Sequence, residues 1–326
     1  MRLPIATLLI PALLLPGVLA ARETAYDPMS IDSSFKPATL DLTVADAGRK
    51  REIPLRIYLP AGREPAAVIL FSHGLGGWRL NNAFLGRHWA ARGYVAVFLQ
   101  HHGSDDSVWR GKKFADGLLG MTQAASLESF MARVHDVTAV LDQLERWNSR
   151  AGSPLAGRLD LARIGMSGHS FGAITTQAVS GQAFDFGDLR DRRIKAALAL
   201  SPSSPQKGTA AQAFGKVDLP WLLMTGTEDV AAMGAIDVAS RLAVYAALPP
   251  GAKYELVLAG ARHLAFSDVD LPGSRGPRNP NHHRAITAIG TAFWDAYLGG
   301  DAAARQWLDG EGPRSVLDGK DTFRKK

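Results

Sequence analysis

A chain of 326 residues that is 46% hydrophobic can bury the core of one large α/β domain, and its 37 basic and 31 acidic residues are dispersed along it. No basic stripe of the kind a phosphate backbone requires is formed, which argues against nucleic-acid binding, while the net charge of +6 favours contact with anionic surfaces. There is no cysteine, so a thiolate nucleophile, a Cys-ligated metal and a disulfide framework are ruled out, and serine is the nucleophile to look for.

Residues 1–20 carry a minimal basic start at Arg2, an apolar run from Ile5 to Leu15 and the small-residue ending Val18-Leu19-Ala20. That pattern predicts a secretory signal cleaved after Ala20 and a periplasmic or secreted protein. Pro4, Pro11 and Pro16 interrupt the segment, and a spanning helix needs about 20 apolar residues with few breaks, so stable membrane insertion is not expected. Without cysteine near the cleavage point, lipoprotein anchoring is ruled out as well. Residues 21–38 read as an N-terminal extension.

Apolar and β-branched runs then alternate with amphipathic stretches. Strands are predicted at 39–44, 53–59, 67–72, 94–99, 163–167, 196–200, 219–224 and 254–258, and helices at 82–92, 126–147, 171–181, 235–248 and 283–298. The first two strands alternate in polarity and suit an antiparallel edge. The later ones are continuous apolar runs, as expected where helices cover both sheet faces. Strands separated by helices imply right-handed crossovers. The expected fold is therefore α/β: a mostly parallel, eight-stranded sheet flanked by helices, with no large cap domain and one catalytic domain over residues 39–300. In the tail, 301–326, Trp307 and Leu308 are candidates for docking on the domain, and Arg324-Lys325-Lys326 reads as a frayed, solvated end.

The most informative segment is Gly168-His169-Ser170-Phe171-Gly172. It follows the apolar run at 161–166 and precedes the small, helix-compatible run at 173–178, so the serine sits on a turn between strand and helix. A nucleophile elbow needs that context, because a strained turn lifts the serine oxygen clear of the sheet and flanking glycines let strand and helix approach. With Phe71-Ser72-His73-Gly74-Leu75-Gly76-Gly77 and Gln100-His101-His102-Gly103-Ser104-Asp105, this segment makes residues 39–298 resemble the α/β-hydrolase superfamily. Within it the motifs are similar to those of the predicted dienelactone hydrolases and the platelet-activating-factor acetylhydrolase-like esterases. The resemblance implies ester hydrolysis without a cofactor.

A serine hydroxyl needs an imidazole to take its proton, and that imidazole needs an acceptor to hold its tautomer. In this fold they come in the order nucleophile, acid, histidine, from loops at the carboxyl ends of strands. The acid should follow the strand at 219–224, where Glu228 and Asp229 are both possible. The turn Gly-x-x-Asp of the resembling families implies Asp229. Of nine histidines, only His263 directly follows the last predicted strand and comes after the acid; His282 and His283, at the start of the last helix, are the runners-up. The oxyanion donors are expected from the backbone N–H groups of Phe171, after the nucleophile, and Leu75, in the loop after the third strand. His73 reads as a support of that loop and His169 as a neighbour of the nucleophile.

His101, His102, Asp105 and Asp106 have residue types that suit a cation, but their place after the fourth strand suits cleft walls better. His101, His102 and Trp109 are thus the expected substrate-binding residues, with no metal and no cofactor. The excursion 103–125 brings Trp109, Phe114, Leu118, Leu119 and Met121 as a partial cover, and 201–216 is a second, Ser/Pro/Gly-rich loop. The expected function is a serine hydrolase acting on small or polymeric carboxylic esters through an acyl-enzyme. Its alternatives are a polyesterase or cutinase-like enzyme, an amidase or peptidase on the same triad, and a non-catalytic binding protein on the hydrolase fold.

Overall fold

The structure is a computed structural model that describes residues 25–231, 233, 236–269 and 278–326. The signal expected at residues 1–20 and most of the loop before His282 fall outside the described residues.

Strands β1 (Ala38–Asp46) and β2 (Arg51–Leu59) form an antiparallel hairpin, with Ala38 opposite Leu59 and Asp46 opposite Arg51. Their polarity alternates because one face is buried: Ile53, Leu55 and Ile57 point into the core, with Glu52 exposed before them and Pro54 and Arg56 half-buried between them. Strand β2 pairs antiparallel with β4 (Val95–Leu99). From β4 the sheet continues in parallel through β3 (Ala66–Ser72), β5 (Leu159–His169), β6 (Ile194–Leu200), β7 (Trp221–Glu228) and β8 (Lys253–Arg262).

These central strands are apolar on both faces. In β3, Ile69 and Phe71 pack on one side with Trp89 and Trp294, while Val68 and Leu70 pack on the other with Val137 and Leu141. Helices α1 (Ala83–Ala91) and α7 (Pro280–Tyr297) cover the first side. The second is covered by α3 (Leu127–Ser149), α4 (Phe171–Val179) and α6 (Val238–Ala247). Helix starts follow the sequence chemistry: Ser126 and Asp237 accept the Ser129 and Ser240 N–H groups, and Pro280 follows the cap Asn279.

The expected sheet needs correction. Among the described residues it has nine strands in the order β1-β2-β4-β3-β5-β6-β7-β8-β9, and it is mixed, with three antiparallel pairings. The ninth strand, β9 (Thr322–Lys325), takes in Arg324 and Lys325 of the end read as frayed. It pairs antiparallel with β8 because Phe323 stacks on Tyr254 and Arg324 Nε donates to Glu255 Oε2 at 2.6 Å. Before it, α8 (Ala302–Asp309) buries Leu308 and docks Trp307 beside the core. Two further helices lie in the excursions, α2 (Phe114–Ala124) and α5 (Ala210–Phe214), the latter opened by a Thr209–Gln212 capping box.

The elbow depends on two glycines. A Cβ on Gly172 would lie 1.9 Å from the Ser72 carbonyl oxygen, and one on Gly168 would lie 2.3 Å from the Gly172 oxygen. Strand β3, strand β5 and helix α4 therefore approach at backbone distance, and no side chain can yield to make room. Gly172→Ala is expected to cost at least about 4 kcal/mol of stability, whereas Gly319→Ala, exposed and with nothing within 4 Å, should change it by no more than about 0.5 kcal/mol. Urea unfolding midpoints of the two variants check this.

Candidate active site

Strands β3, β5, β7 and β8 run parallel, so their carboxyl ends lie along one edge of the sheet. Ser170, Asp229 and His263 are each the first residue beyond one of these ends. Ser170 has φ 57° and ψ −114°, a left-handed conformation that costs a non-glycine residue energy. Its amide is tied to the Leu200 oxygen at 2.9 Å, which pins the turn and leaves the hydroxyl at the cleft.

Ser170 Oγ lies 2.8 Å from His263 Nε2, and His263 Nδ1 lies 2.7 Å from Asp229 Oδ1. The other Asp229 oxygen accepts from Thr225 Oγ1 at 2.9 Å. Asp229 is fully buried, so desolvation by itself would raise its carboxyl; the hydrogen bond and charge of His263 and the charge of Arg241 outweigh that and hold it below the usual range. Glu228, the other candidate acid, is exposed and pairs with Arg262 at 2.9 Å. His282 and His283 direct their Nε2 atoms to the carbonyls of Ala259 and Ser267, and His283 stacks on Phe84 at 4.2 Å.

Arg241 went unnoticed in the sequence. It is buried on α6, with Nε 3.0 Å from Asp229 Oδ1 and Nη1 donating to the Ser201 and Pro202 carbonyls. Its Nη2 also lies 3.1 Å from His263 Nδ1. That nitrogen carries one hydrogen at most, and the carboxylate at 2.7 Å claims it, so Arg241 acts there as a nearby charge rather than as a bonding partner. His169, in the elbow, directs Nε2 to the His263 carbonyl at 3.1 Å. Burial and the adjacent His263 push His169 down to about 3, so it is neutral at pH 7.

Leu75 and Phe171 both line the cavity at Ser170, and Phe171 opens α4, where the first amides lack partners within the helix. The cavity, of about 430 Å³, is walled mainly by Trp78, Trp109, Met121, Phe130, Ile174 and Leu264. Trp109 Nε1 donates to the Gly76 carbonyl at 2.7 Å, and the Arg110 guanidinium lies 4.6 Å from the Trp78 ring centroid.

His101 and His102 do not stand where the sequence reading put them. His101 is fully buried behind the loop 73–77, bonded to Ser72 Oγ at 2.9 Å and Asp136 Oδ2 at 3.1 Å, and His102 is exposed. After β4 the chain folds back against α3, where the Asp136 carboxylate captures the first imidazole. Burial would raise Asp136, but hydrogen bonds from His101 and Arg51 hold it at about 2; burial and the charge of Arg133 lower His101 to about 4. Asp105 accepts from Gln100 and Ser107, and Asp106 pairs with Arg110. No group of three or more His, Asp or Glu side chains that could hold a metal ion occurs among the described residues. No helix among them is long and apolar enough to cross a membrane.

A search of curated proteins returned no match. The family model described as PET hydrolase-like matches residues 86–272, more than half of the chain and the stretch that carries Ser170, Asp229 and His263. The chain therefore belongs to the PET hydrolase-like family, an esterase family of α/β-hydrolase type.

Proposed function

We propose that the protein is a serine hydrolase of carboxylic esters that works through an acyl-enzyme. Ester hydrolysis follows from the family, and one observation carries the finer reading: the unbroken series Ser170 Oγ, His263 Nε2, His263 Nδ1, Asp229 Oδ1, with both links below 2.9 Å. His263 takes the Ser170 proton as the hydroxyl attacks the ester carbonyl, and the buried Asp229 carboxylate keeps the imidazole hydrogen on Nδ1 and stabilises the imidazolium. The Leu75 and Phe171 N–H groups receive the charge that develops on the carbonyl oxygen. His263 then protonates the leaving alkoxide, and a water activated at the same Nε2 releases the acid and restores Ser170.

Polymeric esters are the second reading, favoured by the apolar surface beside the cavity: Trp109, Phe114, Leu118, Leu119 and Leu127 are all exposed large hydrophobics on or next to α2. A long acyl or aromatic chain leaving the cavity would run onto that surface. Export is part of the proposal and rests on residues 1–20 alone. The mature chain is expected to begin at Ala21.

The test is hydrolysis of p-nitrophenyl esters from acetyl to long acyl chains beside the matching anilides, with fluorophosphonate labelling read out by peptide mass. Turnover of short and medium esters, slow anilides and an adduct on Ser170 are expected. Anilide turnover equal to that of the esters would make the protein an amidase. Absence of any adduct would leave a binding protein.

A further inference from the structure

Arg133 is a fully buried guanidinium on the second side of the sheet, three residues into the apolar stripe of α3 from Phe130. Its donors point towards the end of β3 and the loops after β3 and β4. Nη1 donates to the His73 carbonyl at 2.7 Å and to Ser72 Oγ at 3.3 Å, and Nε to Ser104 Oγ at 2.8 Å. Nη2 reaches the Ser104 carbonyl at 3.3 Å and the Gly74 carbonyl at 3.4 Å. On its other face the guanidinium lies 4.4 Å from the centroid of the Phe171 ring.

The Gly74 carbonyl decides what this arrangement does. It also receives the Gly77 N–H at 3.0 Å and lies 2.7 Å from His73 Nδ1. His73 Nε2 lies 3.0 Å from the His101 amide nitrogen and must accept its hydrogen, so the single hydrogen of neutral His73 is on Nδ1 and is donated to Gly74. Burial, with the charge of Arg133 next in weight, holds His73 well below its ordinary range, which keeps the ring in that neutral tautomer. Burial also lowers Arg133, to about 9, and leaves it charged at neutral pH.

Three donors thus converge on one carbonyl oxygen, and the N–H of Leu75 belongs to the same peptide unit. In a trans peptide the C=O and N–H point in opposite directions, so fixing the Gly74 oxygen towards Arg133 fixes the Leu75 N–H away from it. Gly74 itself lies against the elbow, where a Cβ would be 3.4 Å from Ser170 Cβ. We propose that Arg133 is a positioning residue for ester hydrolysis, one that holds the Gly74–Leu75 peptide plane and the Phe171 ring in a single clamp and so aims both oxyanion donors at one point. Its charge also polarises the Gly74–Leu75 peptide, strengthening the Leu75 N–H as a donor when negative charge develops in front of it. This rests on the reading of Ser170 as nucleophile and of Leu75 and Phe171 as oxyanion donors.

The experiment uses the full-length protein carrying Arg133→Lys or Arg133→Met, with active sites titrated by fluorophosphonate. It measures kcat and KM for a p-nitrophenyl ester and the inhibition constant of a trifluoromethyl ketone, whose hemiketal oxygen occupies the oxyanion position. Per titrated site, kcat is expected to fall about 10²-fold and the ketone affinity by a similar factor, while KM stays within about threefold. A role confined to stability would lower the melting temperature and the titre but leave kcat and ketone affinity per site at wild-type values, and that result overturns the proposal. Should neither variant fold, Phe171→Leu keeps the amide and removes the ring under the guanidinium; a loss of about five- to tenfold in kcat at unchanged KM is expected, and an unchanged kcat overturns the proposal. Two controls isolate the underlying reading. Retained turnover in Ser170→Ala would show the nucleophile wrong. Wild-type kcat in Leu75→Pro, which lacks the amide hydrogen, would show the donor wrong, whatever the Arg133 variants do.

Discussion

Ser170→Ala and His263→Ala are each expected to lower kcat about 10⁶-fold, and the double variant to be no slower than either alone. The expectation follows from the way the two side chains share one proton. In the proposed mechanism the Ser170 hydroxyl and His263 Nε2, 2.8 Å apart, act as one nucleophile and base, so either half would be useless without the other. KM should change little, because the apolar residues Trp78, Trp109, Phe130 and Ile174 line the cavity and would hold the proposed substrate independently of that pair. What remains in each variant is the acceleration from binding and the oxyanion donors, about 10³- to 10⁴-fold over water. His283→Ala should stay within about twofold of wild type, since that ring stacks on Phe84 and points to the Ser267 carbonyl. A cycle of kcat/KM values for the two single variants and the double checks the coupling. Losses that multiply would mean that Ser170 and His263 act separately, and a dead His283→Ala beside an active His263→Ala would move the base.

The parts of this site that were legible in the sequence are those fixed by local order. Gly168 to Gly172 stood out because an apolar strand precedes it and a helix follows, and the backbone approach at Gly172 explains why no other residue type serves there. His263 was found by its place after the last predicted strand. The choice between Glu228 and Asp229 could not come from residue type; it depends on which side of the turn after β7 faces inward, and in the structure Asp229 faces His263 while Glu228 meets solvent.

Residues defined by tertiary contact were not legible. Strand β9 has four residues and two of them are basic, too weak a pattern to read alone; β8 supplies the pairing and Tyr254 and Glu255 supply the partners. Helix α2 was hidden by Gly117 and Gly120, poor helix formers that are present because Trp109 and the Val108 carbonyl press against them. His101 was misplaced because position after a strand does not say on which side of a loop a ring falls. A signal did exist for the buried arginines. Arg133 interrupts the apolar stripe Phe130, Val134, Val137, Leu141, and Arg241 interrupts the face that buries Val244 and Tyr245. A charge on a buried helix face implies a set of acceptors waiting for it.

Asp229→Asn is expected to lower kcat about 10⁴-fold, while Glu228→Gln leaves it within about twofold of wild type. An amide in place of the carboxylate can present its NH₂ to His263 Nδ1, which drives the imidazole hydrogen to Nε2 and leaves no base facing Ser170. Glu228 only closes an exposed ion pair with Arg262. The buried acid also carries a stability consequence that the exposed one does not. Arg241 is 1% exposed and Asp229 is its ion-pair partner at 3.0 Å, so removing the carboxylate strands a buried cation, at a cost of about 3–5 kcal/mol. Asp229→Asn with Arg241→Gln should recover much of that stability yet remain as inactive as Asp229→Asn, since the tautomer is still wrong. The pH dependence has a definite sign. The folded Asp229 carboxyl lies below its unfolded value, so its contribution is complete above the unfolded value and is lost as pH falls through the folded one; Asp229→Asn should flatten that part of the acid limb. Urea unfolding between neutral and acidic pH, run beside kcat on the same variants, separates the two roles. Recovery of both stability and turnover in the double variant would mean that Arg241, and not the tautomer of His263, limits the single one.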